Sequence, residues 1–173
     1  MATKSVRPPT DKQLAKIALA LGDALREHGW MLATAESCTG GWLAKLVTDQ
    51  SGSSEWFDRT FVTYSNAAKH EMLGVDQRIL DEHGAVSEET VRAMAQGALD
   101  RSVAQVTIAI SGIAGPDGGT PEKPVGTVWF AWMVHTESLT TRCDRFTGER
   151  DSVRRQAAYT AMDQLLKMLL QSE

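Results

Sequence analysis

Three short polar segments of the chain carry side chains that could perform nucleophilic or acid–base chemistry. They cover residues 36–41, 64–69 and 111–119, and each follows an apolar stretch whose composition predicts a β-strand. In open α/β sheets, ligands bind outside the carboxyl ends of the strands. We therefore expect the three segments to converge on one site.

The first segment places hydroxyl and thiol groups at the start of a predicted helix, in the order Glu36-Ser37-Cys38-Thr39-Gly40-Gly41. Unpaired backbone N–H groups at such a start can hold an oxyanion or a phosphate. Ser37 or Thr39 could instead simply cap the helix. The segment is not a nucleophile elbow, because the residues two before and two after Ser37 are not glycines. A nucleophilic serine here needs a base from elsewhere in the chain.

The second segment offers Lys69 as a candidate base, because it follows the second predicted strand and could project toward Ser37. A lysine acts as a base only when it is neutral, so its pKa would have to fall from ~10.4 toward ~7–8. Spacing alone favours the alternative of a lysine on the surface. Of the four histidines only His70 remains as another base, since His28 and His83 precede glycines, where a solvated or C-capping role is favoured, and His135 lies in a predicted turn.

The third segment begins a loop, residues 111–124, that holds four of the 14 glycines and three of the five prolines. It contains neither the Gly-x-Gly-x-x-Gly pattern of dinucleotide sites nor the Gly-Lys-Ser/Thr of a Walker loop. A long hairpin-like connection is one interpretation. Irregular loops of this length are often functional in compact domains, so the composition favours a ligand-binding loop.

Five arginines form a basic group near the end of an otherwise acidic chain. Arg150 and Arg154 are four residues apart at the start of the last predicted helix, so they share one face. A guanidinium group near a helix N-terminus suits a phosphate monoester, although surface pairing with Glu149 and Asp151 would explain the pattern equally well. The group comprises Arg142, Arg145, Arg150, Arg154 and Arg155.

Composition limits the class of protein. The chain has 173 residues, with 18 Lys and Arg against 22 Asp and Glu, which gives a net charge of −4. This length fits one domain, and the acidic balance disfavours nucleic acid and membrane surfaces as partners. No apolar run approaches the ~20 residues of a spanning helix, and no metal-ligand spacing occurs. Two cysteines and no apolar leader predict a reduced, cytoplasmic protein.

The apolar spacing predicts helices that alternate with the first strands, followed by two strands that arrive together as a hairpin across residues 135–138. This pattern predicts an α/β protein: a three-layer α/β/α sandwich with a mixed, mainly parallel sheet that has one antiparallel member. We expect residues 1–10 to be a disordered lead and residues 11–173 a single domain. The predicted helices are 11–28, 42–47, 66–73, 87–98 and 149–170, and the predicted strands are 30–35, 59–64, 106–110, 125–134 and 139–146.

Five motifs occur together in a fixed order: TAESCTGG at 34–41, FVTYSNAAK at 61–69, GAVS at 84–87, SGIAGPDGG at 111–119 and KPVGTV at 123–128. The ordered set resembles the nicotinamide-nucleotide amidases, also called NMN deamidases, and the equivalent C-terminal domain of the CinA proteins. The match extends from about Lys12 to the last helix. The separate N-terminal domain of full CinA proteins is absent, so the resemblance is to the stand-alone form.

The resemblance implies hydrolysis of the carboxamide of nicotinamide mononucleotide (NMN) to nicotinate mononucleotide and ammonia, in pyridine-nucleotide recycling and without a cofactor. That family is understood to use a Ser/Lys pair, which falls on Ser37 and Lys69. It also implies a three-layer sandwich and a homodimer. Backbone N–H groups near the helix start would hold the oxyanion, and the glycine-rich loop would receive the nucleotide or the ring. The residues expected in these supporting roles are Thr39, Gly40 and Gly41 for the oxyanion, Tyr64, Ser111, Gly112, Gly115 and Pro116 for the pocket, and Arg145, Arg150 or Arg154 for the 5′-phosphate.

Two alternatives stay open at this point. Cys38 could be the nucleophile, with its thiolate favoured by the helix terminus. The chain could also be a non-catalytic nucleotide-binding or regulatory module.

Overall fold

A computed structural model describes residues 3–4, 7–135 and 138–171 of the chain. The helices in these ranges are α1 Asp11–His28, α2 Trp42–Thr48, α3 Asn66–Leu73, α4 Gln77–His83, α5 Glu88–Asp100 and α6 Arg150–Gln171, with a 3-10 helix at Ser53–Glu55. The strands are β1 Thr3–Lys4, β2 Leu32–Glu36, β3 Phe57–Val62, β4 Val106–Gly112, β5 Thr127–Val134 and β6 Ser138–Phe146.

One mixed sheet runs through the molecule in the order β1-β6-β5-β4-β2-β3. Strands β2, β3 and β4 are parallel to one another, while β5 pairs antiparallel with both β4 and β6. Only β5 runs against the other strands of the described chain, which confirms the predicted mainly parallel sheet with one antiparallel member. The β5–β6 pairing, with Val134 opposite Ser138, also confirms the predicted hairpin, whose turn residues 136–137 lie outside the described residues.

Helices cover both faces of the sheet, which confirms the three-layer sandwich. Alternate residues of β4 point to opposite faces: Ile108 and Ile110 pack in the core beneath α1, α2 and α6, whereas Ala109 packs in the core beneath α5. Small residues on the α5 face let that helix approach the sheet closely. Three of the strand residues in the α5 core are alanines, namely Ala35, Ala109 and Ala131.

Local sequence signals set the ends of the helices. Thr10 and Gln13 form a capping box at the start of α1, and Gly29 ends this helix in the left-handed conformation with φ of 65°. Ser87 accepts a hydrogen bond from the backbone N–H of Thr90 and caps α5. Ser65 caps α3 in the same way.

Helix α4 was not predicted from the sequence. It has seven residues and only Leu80 is buried, so it carries no repeating apolar pattern. Its signal is Asp76, whose side chain caps the first turn by accepting the N–H of Arg78. Strand β3 also differs from its prediction, since it begins at Phe57 and ends at Val62, which leaves Tyr64 in the loop beyond the strand.

Candidate active site

The three polar segments meet at one cavity of about 240 Å³, beside the ends of β2, β3 and β4. Ser37 follows β2, Tyr64 and Lys69 follow β3, and Ser111 and Gly112 end β4. The parallel strands deliver their carboxyl ends to the same edge of the sheet, as the topology requires. The lining residues are Ser37, Cys38, Tyr64, Lys69, Ala85, Val86, Ser111, Gly112, Ala114 and Arg150.

Ser37 stands where the chain leaves the sheet and turns into α2. Its backbone N–H donates to the carbonyl of Ile110 on β4, 3.0 Å away, so the residue is anchored to the neighbouring strand. The turn is completed by Gly40 and Gly41, whose φ angles of 60° and 91° favour glycine. The Ser37 side chain is largely buried but borders the cavity.

Lys69 is fully buried on α3, and its Nζ faces Ser37. Nζ lies 3.0 Å from Ser37 Oγ, 2.8 Å from the carbonyl oxygen of Thr63 and 3.4 Å from that of Tyr64. A neutral amine has two N–H donors and one lone pair. The two carbonyls can accept both N–H groups, which leaves the lone pair for the Ser37 hydroxyl.

The surroundings of Lys69 favour its neutral form. Burial lowers the pKa of its ammonium group to about 8, from an ordinary value of 10.5. No carboxylate within the described ranges forms a salt bridge with it to restore the charge. The amine of a lysine that is buried without a counter-ion can accept a proton near neutral pH.

Glu36 is a buried residue to which the sequence analysis gave no role. Its carboxylate accepts the Thr39 hydroxyl at 2.7 Å and the N–H groups of Gly41, Leu43 and Ala44 at 2.9–3.1 Å. It therefore occupies the N-terminus of α2. The sequence does carry a signal for this role, because Glu36 is an acidic residue shortly before the start of α2. A carboxylate placed there can interact favourably with the N-terminal end of the helix.

Two of the backbone N–H groups predicted to hold the oxyanion already have acceptors within the protein. The N–H of Gly41 is used by Glu36, and the N–H of Gly40 donates to the carbonyl of Ser37 at 3.0 Å. Within residues 7–135 and 138–171, the N–H of Thr39 has no hydrogen-bond acceptor, and the N–H of Cys38 faces only the sulfur of its own side chain. The structure thus leaves the N–H groups of Cys38 and Thr39 without an oxygen acceptor, whereas those of Gly40 and Gly41, also predicted from the sequence as oxyanion donors, are engaged.

Arg150 and Tyr64 stand together at the cavity. Arg150 Nη2 donates to the Tyr64 hydroxyl at 3.1 Å, and Nη1 donates to the carbonyl of Gly115 at 2.8 Å. The Tyr64 side chain is 63% exposed. Arg150 thereby joins the β3–α3 loop to the glycine-rich loop, whose Pro116 is exposed and is not among the lining residues.

Ser111 connects two segments that line the cavity. Its hydroxyl donates to the carbonyl of Ala85 at 2.6 Å, which ties the end of β4 to the segment before α5. Gly112 lines the cavity next to it. A Cβ at Gly112 would approach Val128 Cγ2 to 2.7 Å, so this position requires glycine for close packing of β4 and β5.

The other arginines of the basic group do not line the cavity. Arg154 donates to the carbonyl of Cys38 at 3.1 Å and to that of Thr39 at 2.8 Å. Arg155 pairs with Asp11 and Asp151, and Arg142 pairs with Asp144. Arg145 lies on β6, opposite Thr127.

The alternative nucleophile and the alternative base fit the site poorly. Burial raises the pKa of the Cys38 thiol to about 12, which suppresses the thiolate that a nucleophilic cysteine needs. His70 Nδ1 lies 2.8 Å from the carbonyl oxygen of Val75, and the residue is not among those that line the cavity. Both cysteines are free thiols.

Metal-binding clusters and membrane-spanning helices are absent from the described ranges. No group of three His, Cys, Asp or Glu side chains is arranged to hold a metal ion there. No helix in the same part of the chain has the length and apolar character needed to cross a membrane.

Comparisons with known proteins agree with this architecture. Residues 14–169 match the model of the CinA C-terminal domain family. The chain is 53% identical over 163 residues to the nicotinamide-nucleotide amidohydrolase PncC of Escherichia coli K12, covering 94% of this chain and 99% of that protein. It is 47% identical to the Pseudomonas putida protein of the same name, covering 90% and 96%. A crystal structure of the competence/damage inducible protein CihA from Agrobacterium tumefaciens superposes with a TM-score of 0.88 at 40% identity, covering 95% of this chain and 99% of that one.

Proposed function

The chain belongs to the CinA C-terminal domain family, and from that membership we propose that it hydrolyses the carboxamide of NMN to nicotinate mononucleotide and ammonia. Relatives of 47–53% identity that carry the name nicotinamide-nucleotide amidohydrolase support the reaction. The observation that carries the mechanism is the 3.0 Å separation between Ser37 Oγ and Lys69 Nζ in a buried setting.

Acylation begins when Ser37 Oγ attacks the amide carbon and its proton passes to the neutral Lys69 Nζ. The tetrahedral adduct then collapses, the C–N bond breaks, and the Lys69 ammonium returns the proton to the departing nitrogen, which leaves as ammonia. The nicotinoyl group remains as an ester on Ser37. Lys69 is again neutral at the end of this half of the reaction.

Deacylation uses the same two residues in reverse. Lys69 Nζ takes a proton from water, whose oxygen attacks the ester carbon, and the proton then returns to Ser37 Oγ as the ester bond breaks. The product is the pyridine carboxylate of nicotinate mononucleotide. One water molecule is consumed, and no cofactor is required.

The N–H groups of Cys38 and Thr39 are the proposed oxyanion donors. They lie in the same turn as Ser37, and within the described residues neither donates to an oxygen acceptor. A donor aimed at the developing oxyanion contributes about 3 kcal/mol to lowering the barrier. Because these donors belong to the backbone, side-chain substitution does not remove them.

The nucleotide portion is proposed to bind along Tyr64 and Arg150. Arg150 lines the same cavity as Ser37 and is exposed on its outer side. Of the three arginines considered for the phosphate, it alone borders the cavity, because Arg154 is turned toward the Cys38 and Thr39 carbonyls and Arg145 lies on β6. The proposal therefore places the 5′-phosphate at Arg150, with the pyridine ring between Tyr64 and the Ser37–Lys69 pair.

The same proposal gives the protein a place in pyridine-nucleotide recycling, where the product carboxylate re-enters NAD synthesis. A reduced cytoplasmic setting and a homodimer remain predictions that accompany it. Sedimentation of the purified chain would test the dimer.

Turnover and chemical trapping test the proposal together. The purified protein is incubated with NMN, ammonia and nicotinate mononucleotide are quantified, and acid-quenched samples are digested and analysed by mass spectrometry. We expect equal amounts of the two products and an acyl adduct on the peptide that contains Ser37. Binding of NMN without product would reject the amidase in favour of a non-catalytic module, and an adduct on Cys38 would reject the Ser/Lys mechanism.

A further inference from the structure

The turn that carries Ser37 is held on two sides by charged side chains, neither of which lines the cavity. On one side the buried carboxylate of Glu36 accepts the N–H groups of Gly41, Leu43 and Ala44 and the hydroxyl of Thr39. These contacts fix the start of α2. Glu36 therefore binds hydrogen-bond donors of the turn and of the first residues of α2.

On the other side Arg154 holds the acceptors of the same turn. Its Nε and Nη2 donate to the carbonyls of Cys38 and Thr39, and its guanidinium carbon lies 4.9 Å from the centre of the Trp42 ring. The planar, two-pronged geometry of arginine suits two adjacent carbonyls, which a lysine cannot hold in the same way. The contact joins α6 to a turn that lies 115 residues earlier in the chain.

These contacts set the direction of the peptide groups next to Ser37. A carbonyl and the N–H of the following residue belong to one planar peptide unit, so fixing the Cys38 carbonyl also fixes the N–H of Thr39. Glu36 fixes the far end of the turn by holding Gly41. A peptide unit free to rotate would carry its N–H away from the position of the oxyanion.

We infer that Glu36 and Arg154 are positioning residues that together hold the turn 37–41, so that Ser37 faces Lys69 and the N–H of Thr39 points at the reacting carbonyl. The inference rests on the proposed function. It gives Arg154 the role of positioning Ser37 and not of binding the 5′-phosphate. Loss of either contact lowers the rate of attack by Ser37 and leaves the binding of NMN nearly unchanged.

The principal test is Arg154→Lys, which keeps the positive charge and loses the fork. We expect kcat for NMN to fall by about 10- to 100-fold, the effect of a small misplacement of a reacting group, while KM stays within a factor of two. Labelling of Ser37 by a small fluorophosphonate, which forms an Oγ–P bond and releases fluoride, should slow by a similar factor. This second readout needs neither NMN nor a phosphate site.

Arg155→Lys is the matched control. Arg155 is the next residue of α6 and also approaches the Trp42 ring, at 5.1 Å, but it pairs with Asp11 and Asp151 instead of the turn. Its kcat, KM and labelling rate should equal those of wild type. An equal fall in kcat in Arg154→Lys and Arg155→Lys would overturn the inference. It would mean that the rate depends on stacking against Trp42 or on α6, and not on the hydrogen bonds from Arg154 to the turn.

Glu36→Gln tests the other side of the turn. The glutamine amide has the shape of the carboxylate, but its NH2 group takes the place of one oxygen. Each oxygen of Glu36 accepts at least one backbone N–H, so the NH2 group faces a donor at either position. Reduced kcat and slower labelling with unchanged KM are expected in the folded fraction, quantified by thermal melting. Asp76→Asn, which changes the cap of the equally short helix α4, is the control and should retain the wild-type rate.

Two results would overturn the inference directly. Wild-type kcat and labelling in Arg154→Lys would show that the fork does not position Ser37. A large rise in KM with unchanged kcat and labelling would show that Arg154 binds the phosphate. If wild type releases no ammonia from NMN, the proposed function fails, yet the labelling rates of the same variants still decide whether the turn is held as inferred.

Discussion

The amino group of Lys69 lies 3.0 Å from the hydroxyl of Ser37, although 32 positions separate the two residues in the chain. Ser37 is fixed at the end of β2 by its hydrogen bond to Ile110, and Lys69 lies on α3, which begins after the neighbouring strand β3. Their distance is therefore set by the pairing of β2 and β3 and by the Ser65 cap of α3. The chemistry of the site depends on these supports as much as on the two side chains.

Replacing the nucleophile should remove the activity. In Ser37→Ala the attacking oxygen is lost while the buried surroundings remain, so we expect ammonia release from NMN to fall by about 10³-fold or more. Cys38→Ala is the matched control, because its thiol is held protonated and its backbone N–H is unchanged; it should retain most of the wild-type rate. Near-wild-type release by Ser37→Ala, or its loss in Cys38→Ala alone, would contradict the assignment.

The rate should depend on pH through Lys69. The base works only when neutral, and burial lowers the pKa of Lys69 to about 8. We expect kcat/KM for NMN to rise about tenfold per pH unit below that value and to level off above it. Lys69→Ala should lose both the activity and this pH dependence. A profile that is flat between pH 6 and 9 in wild type would rule out the titration of Lys69 as its cause.

Stability should also depend on pH, in a predictable direction. The pKa of Lys69 is about 8 in the folded protein and ordinarily 10.5, so between these values the unfolded chain binds more protons. The free energy of unfolding therefore rises with pH in this range. Chemical denaturation at pH 7 and pH 10 should show that wild type gains stability relative to Lys69→Met at the higher pH. An unchanged difference between the two proteins would contradict the lowered pKa.

Removal of the proposed phosphate ligand should weaken substrate binding. In Arg150→Ala we expect KM for NMN to rise by about 10- to 100-fold, the scale of a lost charge-assisted contact. KM for nicotinamide riboside, which lacks the phosphate, should change little. Arg145→Ala is the control, because Arg145 does not line the cavity; a rise in KM for NMN in this variant alone would move the phosphate site to β6.

Close packing between α3 and α5 should be sensitive to a single methyl group. A Cβ at Gly97 would lie 2.0 Å from the carbonyl oxygen of Leu73, the last residue of the helix that carries Lys69. Gly97→Ala should lower the free energy of unfolding by about 3 kcal/mol, as severe overpacking does. Gly29→Ala, where nothing lies within 4 Å and φ is +65°, should cost only about 1 kcal/mol. Thermal melts would show equal losses if the packing argument were wrong.

Much of the fold was predictable because its signals are local. Apolar spacing located α1 and α6, and the bounds predicted for α5 and β4 lie within two residues of those observed. Helix α4 was missed because one buried residue makes no pattern. The end of β3 was misplaced because Thr63 and Tyr64 have the composition of a strand, although the chain leaves the sheet at Val62.

The candidate site was predictable only as a set of segments. The position of each polar segment after a strand indicated that the segments would meet, and they line one cavity. The roles of individual residues depended on contacts between distant parts of the chain. Arg150 and Arg154 share a helix face by spacing, yet one borders the cavity and the other reaches the turn after Ser37.

By itself, the sequence determined the layered α/β architecture, the order of the motifs and the residue types available for chemistry, because periodicity and turn chemistry act over a few residues. Only the tertiary structure decided which donors and acceptors remain free. Whether Lys69 is charged, whether the Thr39 N–H is available and which arginine is occupied depend on burial and on partners brought together by sheet pairing. Glu36 shows the difference most directly, since its carboxylate becomes the centre of the turn only when β2, α2 and the Ser37 loop have assembled around it.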